Sequence, residues 1–313
     1  MSPISFDERL TAEAACAALA AAGLSLQPSE VRVEQREERW LARMPGGRIA
    51  WFVASADARA RLAVERRVLR LLEARCGFAA PRVLYESPTG DFDVRRVVPG
   101  CADPSRLYAR VRRDPAAAAR LGAGVGAMLA EQHSNIAAAD VAGWLPARAS
   151  WPEPGEWIAE RLPNVVADPE LRARAAAVVA AYEGEPVAAD DRVLVHTDLG
   201  LHNLAVAPRS FTVRGLFDYD SAAWADRHLD FRYLVLDYDD ADPLDAAVAA
   251  YESATSRTIR RERVFLYTAA SAVSYLAFRA GHAPEEVWCG RTLAQDLQWS
   301  RRAIERVLRP RGA

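Results

Sequence analysis

The sequence contains no lysine: all 40 basic residues of the 313-residue chain are arginine. A mechanism that needs a lysine amine is therefore excluded, and guanidinium groups must make the contacts that lysine usually makes. Only four cysteines are present, at positions 16, 76, 101 and 289, and none forms a Cys-x-x-Cys pair. This spacing argues against a disulfide framework or a cysteine zinc site and indicates reduced thiols.

Long apolar runs and an excess of one charge are also missing. Nothing approaches the roughly 20 apolar residues that span a bilayer, and no basic segment followed by an apolar stretch opens the sequence. We therefore expect a cytoplasmic protein without a membrane partner. The 40 basic and 42 acidic residues leave a formal net charge of −2, which gives no basis for holding a nucleic-acid backbone. With 51% apolar residues, the chain can form one large or two modest cores.

The sequence pattern changes near Pro99-Gly100, where we place a domain boundary. Before it, alternating apolar residues and turn signals predict short antiparallel strands. The predicted elements there are a helix at 7–23, three strands within 31–53, a helix at 57–75, and strands at 81–85 and 91–98. After it, helical periodicity predominates, at 115–135, 154–162, 168–183, 243–256, 258–281 and 284–309. We predict an α+β protein with a small β-rich N-terminal lobe (1–100) and a larger helical C-terminal lobe (101–313).

A strand-like segment at 192–219 interrupts the helical region and collects polar groups between apolar runs. Carboxylates inside such a segment are costly unless a cation neutralises them. The Asp218 carboxylate and the Asn203 amide oxygen are ligands that suit Mg²⁺. Asp198, on the same loop as Asn203, is placed to accept a proton from a substrate hydroxyl. A zinc-dependent hydrolase is an alternative, because His196-x-Asp198-x-x-x-His202 is a conceivable ligand spacing, with Asp218 added.

The pattern His196-x-Asp198-x-x-x-x-Asn203, followed fifteen residues later by Asp218, resembles the catalytic loop and metal-binding aspartate of the aminoglycoside phosphotransferase and choline kinase family. The resemblance covers most of the chain and implies a two-lobed protein-kinase-like fold. It implies an Mg²⁺-dependent kinase that moves the γ-phosphate of ATP or GTP to a hydroxyl of a small molecule, such as an aminoglycoside-type antibiotic. Asp198 would be catalytic, Asn203 and Asp218 would bind the metal, and His196 and Asp226 would support the catalytic loop.

The same resemblance assigns nucleotide binding to the N-terminal lobe. Glu65 matches the position of the family's helix glutamate, which pairs with a phosphate-binding lysine. The backbone of Arg96, Val97 and Val98 corresponds to the hinge, which would contact the base.

The phosphate-binding cation is where the sequence departs from the family. Aligning residues 48–53 with the family's third strand puts Phe52 near the position of the lysine. Arg43 and Arg48 are the nearby cations, and either would replace the lysine if it points into the cleft. The preceding loop, residues 35–39, lacks glycines that would cradle phosphates. A non-catalytic binding protein on a kinase scaffold is therefore a second alternative.

An acidic run precedes the helical pattern that begins at residue 243, and it includes Asp237, Asp239 and Asp240. Such densely spaced like charges are typical of a solvated turn before a helix N-terminus. The functional alternative is a negative cleft wall that attracts a polycationic acceptor.

Overall fold

The computed structural model describes residues 10–36, 38–236, 243–288 and 290–308 of the chain. The strands are β1 Arg32–Arg36, β2 Arg39–Met44, β3 Arg48–Val53, β4 Arg82–Glu86, β5 Phe92–Arg96, β6 Arg192–Val195, β7 Leu204–Val206, β8 Val213–Leu216 and β9 Ala223–Asp226. The helices are α1 Ala12–Ala20, α2 Ala56–Arg75, α3 Pro104–Arg113, α4 Pro115–Asn135, α5 Ala138–Val141, α6 Gly155–Arg161, α7 Pro169–Gly184, α8 Arg232–Leu236, α9 Pro243–Thr255, α10 Arg261–Arg279 and α11 Leu293–Leu308. None of the helices in these ranges is both long and apolar enough to cross a membrane.

The first five strands form one antiparallel sheet in the order β1-β2-β3-β5-β4. Because side chains alternate along a strand, the sheet has two chemically different faces. One face packs an apolar layer against α1; this layer includes Trp40, Ala42, Ala50, Phe52, Phe92 and Val94. The other face carries Arg39, Trp51, Asp93 and Arg95, which lie beside α2. The charged side chains of this lobe that matter for function therefore lie on the α2 face.

Helix α2 begins where Ser55 accepts a hydrogen bond from Ala58 N at 3.0 Å. Its buried side is mostly apolar and includes Leu62, Val68 and Leu72. Glu65 is buried on the same side, although a carboxylate is seldom fully buried unless it is paired. Arg66 of the same helix is also buried, so both charged residues direct attention to their partners.

The helical lobe is built around the close packing of α4 against α9 and around the buried helix α10. Two glycines of α4 allow the approach to α9. A Cβ on Gly122 would collide with the backbone of Pro243, and one on Gly126 would collide with the backbone of Ala247. Gly122 and Gly126 thus serve helix packing, whereas Gly124 between them lies against Val213 of β8.

Two small antiparallel strand pairs in the helical lobe position the polar segment of the sequence. Strand β6 pairs with β9, and β7 pairs with β8. The β7–β8 hairpin also bridges to the segment between α2 and β4, at Ala79 to Gly215, and to the segment that enters the helical lobe after β5, at Cys101 to Val206. The loops that follow β6 and β8 consequently face the junction between the sheet and the helices.

Most predicted elements are present, with shifted bounds. The last helix begins at Leu293, because Thr292 and Gln295 form a reciprocal cap there: Thr292 N donates to Gln295 Oε1 at 2.9 Å, and Gln295 N donates to Thr292 Oγ1 at 3.4 Å. Helix α3 was not predicted, although Asp103-Pro104 is a helix-start signal; Asp103 accepts a hydrogen bond from Ser105 N at 3.0 Å.

Candidate active site

The loop between β6 and β7 is fixed by one buried carboxylate. Asp230 accepts a hydrogen bond from His196 N at 3.0 Å through Oδ2 and from Thr197 N at 2.9 Å through Oδ1. His133 on α4 contacts the same Oδ2 at 3.2 Å. Thr197 has a φ of +69°, a conformation that a β-branched residue rarely adopts, so its surroundings must hold it there. Asp230 supports it through the backbone N–H, while Thr197 Oγ1 donates to Ser221 O at 2.9 Å and Arg232 donates to Thr197 O.

His196 braces the loop through both ring nitrogens. Its Nε2 donates to Phe217 O at 2.9 Å, and its Nδ1 accepts from Asp198 N at 3.3 Å. The ring is therefore the Nε2–H tautomer and connects the β6–β7 loop to the segment after β8. These contacts give His196 the position that the sequence analysis expected of a loop-supporting residue. They also leave neither ring nitrogen for zinc, which removes the basis of the hydrolase alternative.

Asp198 presents its carboxylate at the loop surface, where 38% of the side chain is exposed. The carboxylate accepts from Asn203 Nδ2 at 3.0 Å and contacts His202 Nε2 at 3.1 Å. Burial alone would raise the pKa of Asp198, but hydrogen bonding and charge from His202, with help from His196 and a hydrogen bond from Tyr233, hold it well below its usual range. Asp198 is thus ionised at neutral pH and oriented by its neighbours.

Asn203 and Asp218 come together where β7 and β8 pair. Phe217 N donates to Asn203 O at 3.1 Å, and Asp218 follows with a φ of +70°. The Asn203 amide nitrogen donates to Asp198 O at 2.8 Å as well as to the Asp198 carboxylate. Because the amide N–H groups are directed at Asp198, the amide oxygen is the atom that remains for a cation.

Asp218 belongs to a cluster of three carboxylates with Asp220 and Glu65. Burial, followed by the charges of Asp220 and Glu65, raises the pKa of Asp218 to about 7. Burial also raises the pKa of Asp220. A hard divalent cation fits this donor set, because it would neutralise the crowded carboxylates and accept an amide oxygen beside them. Among the described residues, no group of three His, Cys, Asp or Glu side chains forms a metal site by protein ligands alone.

Glu65 is tied to the sheet by Arg95 rather than by a residue of β3. The Arg95 guanidinium makes two contacts with Glu65, at 2.6 and 2.9 Å, and two with Asp93, at 2.8 and 2.9 Å. All three side chains are buried. The two carboxylates raise the pKa of Arg95 against the effect of its burial, so it stays charged. Arg95 thus pairs with both carboxylates in bidentate fashion.

Arg39, the first residue of β2, reaches from the small lobe to the carboxylate cluster. Its guanidinium lies 2.9 Å from Asp220, 3.7 Å from Asp218 and 3.8 Å from Glu65. It also packs over the ring of Trp51 at 4.6 Å, and only 13% of the side chain is exposed. Arg39 therefore occupies the place where the sequence analysis looked for a cation.

Arg43 and Arg48, which the sequence analysis considered for this role, point elsewhere. Arg43 is half exposed and pairs with Glu34 on β1 at 3.5 Å. Arg48 donates to Pro45 O at 3.1 Å within its own hairpin, and its strand position places it on the sheet face opposite Glu65. Phe52 lies in the α1 layer and is likewise on that opposite face. Neither Arg43 nor Arg48 therefore contacts the carboxylate cluster, whereas Arg39 does.

The segment expected to act as the hinge starts at the end of β5. Arg96 is exposed, Val97 N donates to Gly47 O at 3.0 Å, and Val98 is buried. Val98 also lies close to Gly215 of the β7–β8 hairpin. The segment thus runs along the junction of the two lobes.

Asp226 supports a different part of the fold from the one expected. Its carboxylate accepts from His228 N at 3.0 Å and pairs with Arg263 at 2.5 Å, and Tyr267 donates to it at 2.6 Å. These partners tie β9 to α10, because Arg263 and Tyr267 lie on that helix. The direct support of the catalytic loop comes instead from Asp230.

The expected acceptor-side residues Asp237, Asp239 and Asp240 lie outside the described residues.

Sequence reasoning missed two site residues, Arg39 and Arg95. For Arg95 a signal was present: in the Phe92–Arg96 strand, Asp93 and Arg95 alternate with the apolar Phe92 and Val94, so both charges share one face. For Arg39, the alternation of side chains along residues 39–44 places it on the sheet face that lies beside α2, but Arg43 lies on the same face, so the pattern does not distinguish the two arginines.

Comparisons with known proteins show the family and the fold. The sequence profile of the phosphotransferase enzyme family matches residues 25–265. No curated protein sequence matches the chain significantly.

Several solved structures share the fold at low sequence identity. The GDP complex of wild-type aminoglycoside 2'-phosphotransferase-IIIa aligns with a TM-score of 0.68 at 18% identity, covering 94% of this chain and 98% of that one. A macrolide 2'-phosphotransferase from Brachybacterium faecium aligns with a TM-score of 0.61 at 20% identity, covering 96% and 100%. A choline/ethanolamine kinase family protein from Mesorhizobium loti gives 0.63 at 18% identity, covering 96% of each chain. The expected kinase-like fold, with a small antiparallel sheet followed by a mainly helical region, is confirmed.

Proposed function

The chain belongs to the phosphotransferase enzyme family, and we propose that it moves the γ-phosphate of ATP or GTP to a hydroxyl of a small molecule, with Mg²⁺ as cofactor. The observation that carries this proposal is the Asp198 carboxylate, which is held at the loop surface by Asn203 and His202 beside the Asp218 cluster. A base and two oxygen ligands at this spacing are the parts that phosphoryl transfer to an alcohol requires. The proposed site of action is the cytoplasm, where nucleoside triphosphates are available.

Asp198 orients the acceptor hydroxyl. Its pKa is held low by His202 and His196 against the effect of burial, so it is ionised and accepts a hydrogen bond from the hydroxyl. A carboxylate with so low a pKa is a weak base before the reaction. The proton therefore moves to Asp198 as the hydroxyl oxygen loses electron density to phosphorus, and catalysis rests on positioning and charge stabilisation.

Asn203 and Asp218 are the residues that would hold the metal ion. When bound, Mg²⁺ supplies charge neutralisation for the phosphate oxygens. The crowding of Asp218 with Asp220 and Glu65 supports this assignment, because a carboxylate cluster of this kind is stabilised by a cation. The backbone of Arg96, Val97 and Val98 is proposed to contact the base, since this segment runs along the junction of the lobes.

The acceptor is proposed to enter beside α8, where Tyr233 donates a hydrogen bond to Asp198. Tyr233 packs on the cluster formed by Ala272 and Trp299, which also includes Tyr275. The wall next to Asp198 is thus aromatic, and it suits a hydroxylated molecule with an apolar face as well as a sugar ring. Aminoglycosides and macrolides, the classes named for two of the structural neighbours, are the first acceptors to test.

Replacing Asp198 tests the proposal. Asp198→Asn should lose turnover by on the order of 10²- to 10⁴-fold, because general-base contributions are of that size. Triphosphate affinity should change little, since Asp198 contacts the acceptor side. Turnover would be measured with aminoglycosides, macrolides and choline, and affinity by calorimetry with Mg²⁺. Asp57→Asn, an exposed residue of α2, is the matched control. Near-normal turnover of Asp198→Asn would refute the assignment.

A further inference from the structure

Arg39 joins the two halves of the proposed active site. It belongs to the small lobe, where it starts β2, and it contacts Asp218 and Asp220 of the segment that follows β8. The contact with Asp220, at 2.9 Å, has hydrogen-bond length, whereas those with Asp218 and Glu65 are longer ion pairs. A guanidinium has five N–H donors, so these contacts do not use its full capacity.

The neighbouring buried arginine is committed elsewhere. Arg95 directs its donors at Glu65 and Asp93 through four short contacts. Within the described part of the chain, the ion pairs to Asp218 and Asp220 come from Arg39. Arg39 is thus the arginine positioned to exchange its carboxylate partners for a phosphate group.

We propose that Arg39 is the phosphate-binding residue of this lysine-free enzyme and that, without nucleotide, its guanidinium occupies the carboxylates that the metal ion requires. The proposal rests on the proposed function above. The Arg39 guanidinium packs over the ring of Trp51 at 4.6 Å, and this contact holds the side chain in place. A guanidinium binds phosphate in bidentate fashion. When phosphate oxygens become the partners of Arg39, Asp218 and Asp220 are released to a divalent cation.

This arrangement predicts two effects of opposite sign for Arg39→Gln. Triphosphate affinity should fall about ten- to a hundredfold, which corresponds to the loss of one charge-assisted contact. The affinity of the nucleotide-free protein for a divalent cation should rise, because Asp218 and Asp220 lose a competing cation. Nucleoside affinity should not change, since a nucleoside has no phosphate. A residue with a merely structural role would not produce this combination.

The experiment uses the full chain and three probes in calorimetric titrations: Mn²⁺ alone, ATP and GTP with Mg²⁺, and the nucleosides adenosine and guanosine. Arg39→Lys keeps the charge and should restore part of the triphosphate affinity, and it serves as the second variant if Arg39→Gln folds poorly. Arg61→Gln is the matched control, because Arg61 is a half-exposed arginine that pairs with Glu38 at 2.7 Å. It should behave like the wild type in all titrations.

The outcomes separate this inference from the proposed function. If the wild type binds triphosphates and Arg39→Gln binds them equally well, the inference is wrong and the proposed function stands. If nucleotide-free Arg39→Gln binds Mn²⁺ no more tightly than the wild type, the inference that Arg39 competes with the metal ion for the carboxylates is wrong. If the wild type binds no triphosphate, the proposed function itself fails, and the role of Arg39 in phosphate binding fails with it.

Discussion

Replacing Asp230 by asparagine tests the construction of the catalytic loop. The two backbone N–H groups of His196 and Thr197 donate to different oxygens of the Asp230 carboxylate. An asparagine has one oxygen and one NH₂ group, so Asp230→Asn must set its NH₂ group against one of these donors. The change keeps the volume of the side chain and removes one hydrogen-bond acceptor at a buried site.

The expected loss of stability follows from these contacts. An unpartnered buried donor costs about 1–3 kcal/mol, and the contact kept by the neutral amide oxygen is weaker than one to a carboxylate. We therefore expect Asp230→Asn to lower the free energy of unfolding by about 2–4 kcal/mol. Because Thr197 at a φ of +69° depends on this support, Asp198 should also move. A displacement of about 1 Å costs on the order of a hundredfold in turnover.

Urea unfolding and steady-state turnover measure the two effects on the same preparation. Asp191→Asn is the matched control: Asp191 is a buried carboxylate of the same lobe that pairs with Arg227 at 2.8 Å and with Arg260 at 3.2 Å. It should lose stability but keep turnover. If Asp230→Asn unfolds at the wild-type urea concentration with unchanged turnover, the buried carboxylate does not hold the loop.

Two further predictions concern the helical lobe. Gly126→Ala should lower the free energy of unfolding in urea by about 1–3 kcal/mol, because the new Cβ collides with the backbone of Ala247. Gly184→Ala is the control and should not lower it, because no atom lies within 4 Å of the added Cβ. Equal stability of the two variants would contradict the packing argument. Burial lowers the pKa of His133 despite its contact with Asp230, so the native state holds it neutral while the unfolded state takes up a proton below about pH 6.5. The free energy of unfolding should then fall by up to about 1.4 kcal/mol per pH unit as the pH drops from about 6.5 to the lowered native pKa. Urea unfolding of His133→Gln at several pH values tests this: if its stability falls with acid as steeply as that of the wild type, His133 is not the cause.

The fold was predictable because its signals are local and repeated. Alternation in 31–53, the amphipathic stripe of 57–75 and the spacing of polar residues in 192–219 each identify an element and its place in a two-lobed enzyme. The polar residues between apolar runs also identified Asp198, Asn203 and Asp218 as one group. Those three side chains are brought together by short loops next to paired strands, so chain proximity was enough.

The position of Arg39 at the carboxylate cluster was not predictable, because it depends on which side chain crosses from one lobe to the other. Arg39 and Arg43 share a strand face, and only the position of the sheet over the helical lobe places Arg39 at Asp220. Asp226 and Asp230 are four residues apart, and the sequence does not show that the first turns to α10 while the second turns to the catalytic loop. Both distinctions arise from packing between distant segments.

The ion pairs of Glu65 have a consequence for how the enzyme can be controlled. In protein kinases the helix glutamate pairs with the nucleotide-binding lysine, so displacing that helix switches catalysis off. Here Glu65 is held by Arg95 on β5, and both partners are buried inside one lobe. Helix α2 and the sheet are therefore fastened together whether or not nucleotide is bound. An allosteric inhibitor that displaces this helix would have to break the two buried contacts between Arg95 and Glu65, so the junction between the lobes is the more accessible point of control.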